Sequence, residues 1–207
     1  IQGQAPVYAR HSYGCRILCR LFEQCLKASG PAGLATAAVA GEIVAEAGRL
    51  SWHSFGHHAV ETLLEHGSPE QRSQICAALQ SSDGADGADG AVGATSGGSR
   101  LARSARNRSA SHVVQKALAF GGEGDRAALV EELLSRPEQG VLHLAESHFG
   151  SHVATSLLQL SEQELPRGRP ARELLRAAKA FVRRNAVAFQ TKHGRRLLEE
   201  SGVLESA

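Results

Sequence analysis

Two groups of side chains in this chain have the types and spacing of metal ligands. His53, His57 and Glu61 fall at i, i+4 and i+8 with His58 alongside, a pattern that can hold zinc on one helix face. Cys15 and Cys19 repeat the i, i+4 spacing. Zinc hydrolases place the Glu between two ligating His residues, as in H-E-x-x-H, and no such motif is present. His53 also occupies a position that is His, Asn or Ser in sister segments, so these residues are assigned to a repeat, with no metal and no cofactor expected. Asp83, Asp86 and Asp89 invite a calcium reading, but the ligand order of an EF-hand and its closing Glu are absent. Serines and histidines abound, yet no G-x-S-x-G elbow and no phosphate-cradling loop occurs, so no enzyme is expected.

The elements that position these groups emerge on self-comparison. Five segments align on a small residue at 14, 56, 110, 150 and 194, at intervals of 42, 54, 40 and 44 residues. They begin at His11-Ser12-Tyr13-Gly14, His53-Ser54-Phe55-Gly56, Asn107-Arg108-Ser109-Ala110, Ser147-His148-Phe149-Gly150 and Thr191-Lys192-His193-Gly194. Each continues with an apolar stripe of helical period: Ile17, Leu18, Leu21, Phe22 and Cys25; then Ala59, Val60, Leu63 and Leu64; Val113, Val114, Ala117 and Leu118; and Val153, Ala154, Leu157 and Leu158. A second helix is expected between successive segments. Ser68-Pro69-Glu70-Gln71 is a capping box with Pro at the first helical position. Asp125 is expected to cap another helix, and 33–49 to form a third. Such a helix pair cannot bury its stripe alone and must stack on its neighbours.

Composition agrees. Apolar residues make up 42% but aromatics only 4%, mostly Ala, Leu and Val, which favours helices. No apolar run is long enough to span a bilayer, and the start Ile1-Gln2-Gly3-Gln4 is no signal peptide. The chain lacks Met, so it is expected to be a piece of a longer one. The four cysteines, Cys15, Cys19, Cys25 and Cys76, are expected to be reduced thiols. The net charge of +2 argues little, and the Arg clusters at 100–108 and 167–184 fit solvated helix faces as well as they fit a binding surface. The Ser/Asp/Gly/Ala stretch 81–99 is expected to be a disordered surface insertion.

Counting from the residue after the small one, positions i, i+1 and i+4 form a polar strip. Its members are Cys15, Arg16 and Cys19; His57, His58 and Glu61; Ser111, His112 and Gln115; and Ser151, His152 and Thr155. On a helix i and i+4 lie one above the other, and i+1 flanks them. Two side chains can then bond one base edge while Arg or His slides a flat face between bases, which suits unstacked single-stranded RNA.

These segments resemble repeats of the Pumilio (PUF) family. The stretch from His11 to Cys25 is similar to the family's fifth repeat, Leu63 to Glu70 to its sixth, Ser109 to Lys116 to its seventh, and Lys192 to Leu198 to the C-terminal capping half-repeat. The longer helix-connecting stretch at 136–141 falls where the family carries an insertion. The resemblance implies an all-α, right-handed α-solenoid, an armadillo-like superhelix of Pumilio-type repeats. It divides the chain into a partial repeat (1–30), repeats at 31–67, 68–121 (holding the 81–99 insertion) and 122–161, and a capping repeat at 162–207. The N-terminal half of an eight-repeat array would be missing, leaving the apolar flank of the first helix exposed.

The resemblance further implies sequence-specific binding of mRNA 3′-UTR elements by the concave face, one base per repeat, and control of translation or stability through co-repressors or the deadenylation machinery. The compartment expected is the cytoplasm, with the nucleus or nucleolus as alternatives. No membrane and no small-molecule substrate is involved. The Ser111/Gln115 pair is one the family associates with adenine. Cys15/Cys19, His57/Glu61 and Ser151/Thr155 are not standard pairs, so the usual UGUA target is not expected. The competing reading is a divergent solenoid acting in ribosome biogenesis or as a protein scaffold.

Overall fold

The computed structural model describes residues 1–81 and 99–203, all helix and connection with no strand among the described residues. The Asp-Gly-Ala stretch and its calcium candidates Asp83, Asp86 and Asp89 lie outside the described residues. Among the described residues no helix is long and apolar enough to cross a membrane.

The unit is a helix triplet rather than the expected pair. A long first helix is followed by a short second one and then by the helix carrying the polar strip. The triplets are α3 (Pro31–Ala45), α4 (Ala47–Leu50) and α5 (Gly56–His66); α6 (Pro69–Gln80), α7 (Arg100–Arg106) and α8 (Ala110–Phe120); and α9 (Glu123–Leu133), α10 (Pro137–Ala145) and α11 (His148–Gln159). At the start, α1 (Ala5–Ala9) precedes α2 (Gly14–Cys25); at the end, α12 (Ala171–Arg184) and a 3₁₀ turn at Ala186–Phe189 precede α13 (Lys192–Glu200). The single helix expected over 33–49 therefore divides at Glu46, whose φ of −107° and ψ of 13° leave the helical region. The stretch 136–141, expected as a connection, is mostly the start of α10.

Local chemistry explains the starts. Pro sits in the first turn of α1, α3, α6 and α10, where its missing N–H costs nothing. The Ser68–Gln71 capping box forms with both of its bonds. Asp125 is not a cap: α9 begins two residues earlier behind Gly122, and the Asp125 carboxylate instead accepts a bond from the Ser73 hydroxyl at 2.8 Å. Its place in the first turn still suits the helix dipole.

The third helices stack on one another in one row, and α3, α6, α9 and α12 stack in a second. Between the rows runs one continuous core, with Leu63, Leu64, Val113, Leu118, Val153 and Leu157 facing Ile43, Ile75, Leu129, Val130, Leu175 and Val182. Each residue has neighbours mainly in its own and adjacent triplets, so stability accumulates repeat by repeat. In α2 the stripe is narrower than expected: Leu18 and Phe22 are buried, but Ile17 is 58% exposed. With Val7, Tyr13 and Leu34 it lies at the first end of the row, uncovered by any described helix.

Arginines tie the triplets together. Arg72 on α6 donates to the Glu65 carbonyl at the end of α5 and to that of Phe120 at the end of α8. Arg126 on α9 reaches the Ala119 and Gly121 carbonyls in the same way. Cations at helix C-termini satisfy carbonyls that have no partner within the helix. Arg100 is buried, contrary to the solvated-face reading of its cluster, and its guanidinium bonds the carbonyls of Gly48, Ala78 and Ser81. In the second cluster Arg169 pairs with Glu131 and Arg176 with Glu162, both on the surface.

Candidate nucleic-acid interface

Two features fix where each third helix begins. The residue three before the small one caps the helix: the Nδ1 atoms of His11 and His53, Asn107 Oδ1, Ser147 Oγ and Thr191 Oγ1 each accept the backbone N–H of the small residue, at 2.9–3.4 Å. This accounts for the recurring His, His, Asn, Ser and Thr. His53, counted at first among zinc-spaced residues, is thereby a cap on its own helix. The small residue itself lies against backbone of the preceding short element. A Cβ on Gly14 would come within 2.3 Å of the Tyr8 carbonyl oxygen, one on Gly150 within 2.5 Å of that of Leu144, and one on Gly194 within 2.7 Å of that of Phe189. The third helix is thus clamped at its first turn, one residue before the polar strip.

The structure places the twelve strip residues at equivalent points of α2, α5, α8 and α11. The first positions, Cys15, His57, Ser111 and Ser151, are all buried, and each bonds a carbonyl of the preceding turn. Cys15 Sγ lies 3.3 Å from the Ser12 carbonyl, His57 Nδ1 2.8 Å from that of His53, Ser111 Oγ 3.4 Å from that of Arg108, and Ser151 Oγ 2.8 Å from that of His148. At i+4, the Gln115 amide donates to the Ser111 carbonyl at 3.2 Å and the Thr155 hydroxyl to that of Ser151 at 3.0 Å. Gln115 keeps a second amide hydrogen and its oxygen for a base edge. Thr155, buried and already bonded, keeps only acceptor capacity. Cys19 bonds Thr62 of the next triplet, and burial pushes its thiol pKa up.

The flanking positions differ. Arg16, His58 and His112 are exposed and His152 half-buried, and neighbours sense one another electrostatically along the row: His58 feels His112 and Arg16, and His152 feels Arg196 and His112. Burial is the larger cause of the lowered pKa at both His58 and His152. The row does not end with α11. Arg196 of α13, at the same register, places its guanidinium 3.3 Å from His152 Nε2. His148 and His193 pack edge-on beside it at 5.2 Å between ring centroids. Reading the four full segments alone overlooked Arg196, although Gly194-Arg195-Arg196 repeats the small–i–i+1 spacing.

At α5 the strip becomes dense. The His57 ring stacks on that of His112 at 6.0 Å with 21° between planes, and the His58 ring lies tilted by 38° beside it at 3.9 Å. Glu61 Oε1 lies 3.6 Å from His57 Nε2 and 3.8 Å from His58 Nδ1. Burial holds His57 down to about 4 and lifts the Glu61 carboxyl to about 7, Lys116 opposing the latter.

Fold and site together define a class: a right-handed helical-repeat solenoid whose third helices present a laddered polar strip. A model of the Pumilio-family RNA binding repeat matches residues 8–31, 49–79 and 105–134. The chain is 27% identical over 164 residues to pumilio homolog 7, chloroplastic, of Arabidopsis thaliana, covering 79% of this chain and 22% of that protein. Among solved structures it is similar to the Puf3 RNA binding domain bound to Cox17 RNA 3′ UTR recognition sequence site A, at TM-score 0.71 and 19% identity over 100% of this chain and 50% of that one. It is also similar to PUF-8 in complex with PBE-RNA, at TM-score 0.68 and 20% identity, over 97% of this chain and 49% of that one. Three stretches of the chain thus match Pumilio-family repeats and the whole shares their solenoid fold, and it spans about half the length of the solved chains and 22% of the curated relative.

Proposed function

We propose that this chain binds single-stranded RNA along the row of third helices, as part of a longer protein that acts on mRNA 3′ UTRs in the cytoplasm to control translation or stability. The observation that carries the proposal is the ladder Arg16, His58, His112, His152 and Arg196, a flat π-bearing side chain at one register of five consecutive helices. Stacking on such faces suits unpaired bases and tolerates any base identity. Two structural relatives are described as bound to RNA, which supports the same reading. Co-repressors or deadenylation factors would be the protein partners of the intact molecule.

Base reading is uneven in this proposal. Ser111 and Gln115 form the one pair with both donor and acceptor capacity left over, and they would bond one base edge. The bonded hydroxyls of Ser151 and Thr155 favour a weaker reading there. The test is selection from a random RNA pool followed by fluorescence anisotropy on the selected sequence. Stacking on one side chain is worth ~1–3 kcal/mol per base, so His112→Ala should weaken binding about fivefold or more. Gln115→Glu should shift preference at one base only. Affinity indifferent to both changes and to salt would sink the RNA reading.

A further inference from the structure

We propose that His57, His58 and Glu61 form a binding site for a divalent transition-metal ion of the zinc type. One ligand atom from each lies within 4.8 Å of the other two. The same carboxylate oxygen, Glu61 Oε1, stands 3.6 Å from His57 Nε2 and 3.8 Å from His58 Nδ1. Ligand atoms bound at about 2.0–2.2 Å in a tetrahedral arrangement are separated by little less than this, so small rotamer adjustments complete the set.

The tautomer of His57 leaves the ligand atom free. His57 Nδ1 is 2.8 Å from the His53 carbonyl, and only a protonated Nδ1 can bond a carbonyl. The neutral ring therefore turns the bare lone pair of Nε2 toward the Glu61 carboxyl, so that either a proton or a metal ion can sit between them. With His58 Nδ1 beside them, three ligand atoms converge on one point, which a cation can occupy in place of the Glu61 proton. A ligating His characteristically donates its other N–H to a backbone carbonyl in this manner, which fixes ring orientation and raises ligand basicity. Here His53 supplies that carbonyl while its own ring caps the helix, so the second shell is built into the repeat. The His112 ring stacked on His57 walls one side. The nearest opposing cation, Lys116, is engaged by the Glu65 carboxylate.

Two imidazoles and one carboxylate form a borderline donor set that prefers zinc, cobalt or nickel to magnesium or calcium. The three protein ligands leave a coordination position for water or an exogenous group. The site stands without the RNA reading, and its test uses the metal alone. Co²⁺ is titrated into the chain under reducing conditions and followed by its visible absorption, with Zn²⁺ competition by calorimetry. One ion per chain is expected. His57→Ala, His58→Ala and Glu61→Gln should each weaken it at least ~10-fold, the lower end for loss of even an outer-shell partner. His66→Ala and Cys25→Ser should leave it unchanged. His58 is exposed, so its replacement leaves the core intact, and helicity without metal checks that all three variants fold. The proposal is overturned by absence of saturable binding, by affinity unmoved in all three ligand variants, or by binding that disappears with Cys15→Ser instead.

Discussion

Two third helices, α5 and α11, have the same frame and opposite contents. Both start with a cap three residues before a glycine, His53 in one and Ser147 in the other, and both press that glycine against the preceding short helix. Both bury the same apolar stripe. In α5 the strip then holds two imidazoles and a carboxylate converging on one point. In α11 the hydroxyls of Ser151 and Thr155 are bonded to their own backbone. The difference separates what builds a repeat from what the repeat presents. Frame positions tolerate one chemistry, while strip positions vary freely because the fold does not depend on them.

If that separation holds, the frame should yield the largest effects. In Gly150→Val the Cβ would meet the Leu144 carbonyl oxygen at 2.5 Å and the Leu144 Cα at 3.1 Å, both backbone atoms that cannot rotate away. Overpacking of this kind costs roughly 1–3 kcal/mol or more. Gly56→Val should cost less, because its closest contact, at 2.9 Å, is a Leu50 methyl, and the nearest backbone atom, the Leu50 carbonyl oxygen, stands at 3.1 Å rather than 2.5 Å. Urea melts of the two variants compare them directly. Equal stabilities, or a larger loss at Gly56, would break the claim that close backbone approach sets the glycine.

The contents of α5 should show in pH dependence instead. Burial holds His57 to about 4, so its contribution to stability is full above the unfolded value near 6.5 and is lost as pH falls from there toward 4. Glu61 is lifted to about 7, so the folded form holds its proton longer and stability falls as pH rises from about 4.5 to 7. The two slopes oppose each other across pH 5–6.5 and flatten the profile. Glu61→Gln, in the presence of a chelator, leaves only the His57 slope. Its Tm should therefore rise more between pH 5 and pH 7 than that of the parent chain. A parallel pair of Tm–pH curves would show that Glu61 is not held protonated by burial.

Much of the frame was legible because periodicity is a physical signal: Leu63, Leu64, Val113 and Leu157 recur at helical spacing and lie in the core. The short helices α4, α7 and α10 were not, since four to nine residues hold too few turns to show a stripe. Arg100 reads as a surface cation in sequence, and only the fold brings three carbonyls around its guanidinium. At the strip, spacing located His57, His58 and Glu61, but it favoured His53 as their companion. Which ring nitrogen faces inward depends on a bond to a carbonyl, and no side-chain pattern records that.

The smallest effect should fall on the contents of α11. Thr155→Val keeps shape and volume while removing a hydroxyl whose bond runs to the Ser151 carbonyl within its own helix. That carbonyl already accepts the helical N–H, so nothing is left unsatisfied, and the change should stay within about 1 kcal/mol of the parent. A hydroxyl committed in this way has no hydrogen to offer a base, so RNA affinity should also change little. Gln115→Ala, by contrast, removes an amide with both donor and acceptor to spare and should weaken binding measurably. Anisotropy titrations of the two variants against one selected RNA rank them. If Thr155→Val proves the more damaging, the bonded hydroxyl must release its carbonyl on binding, and α11 reads a base as α8 does.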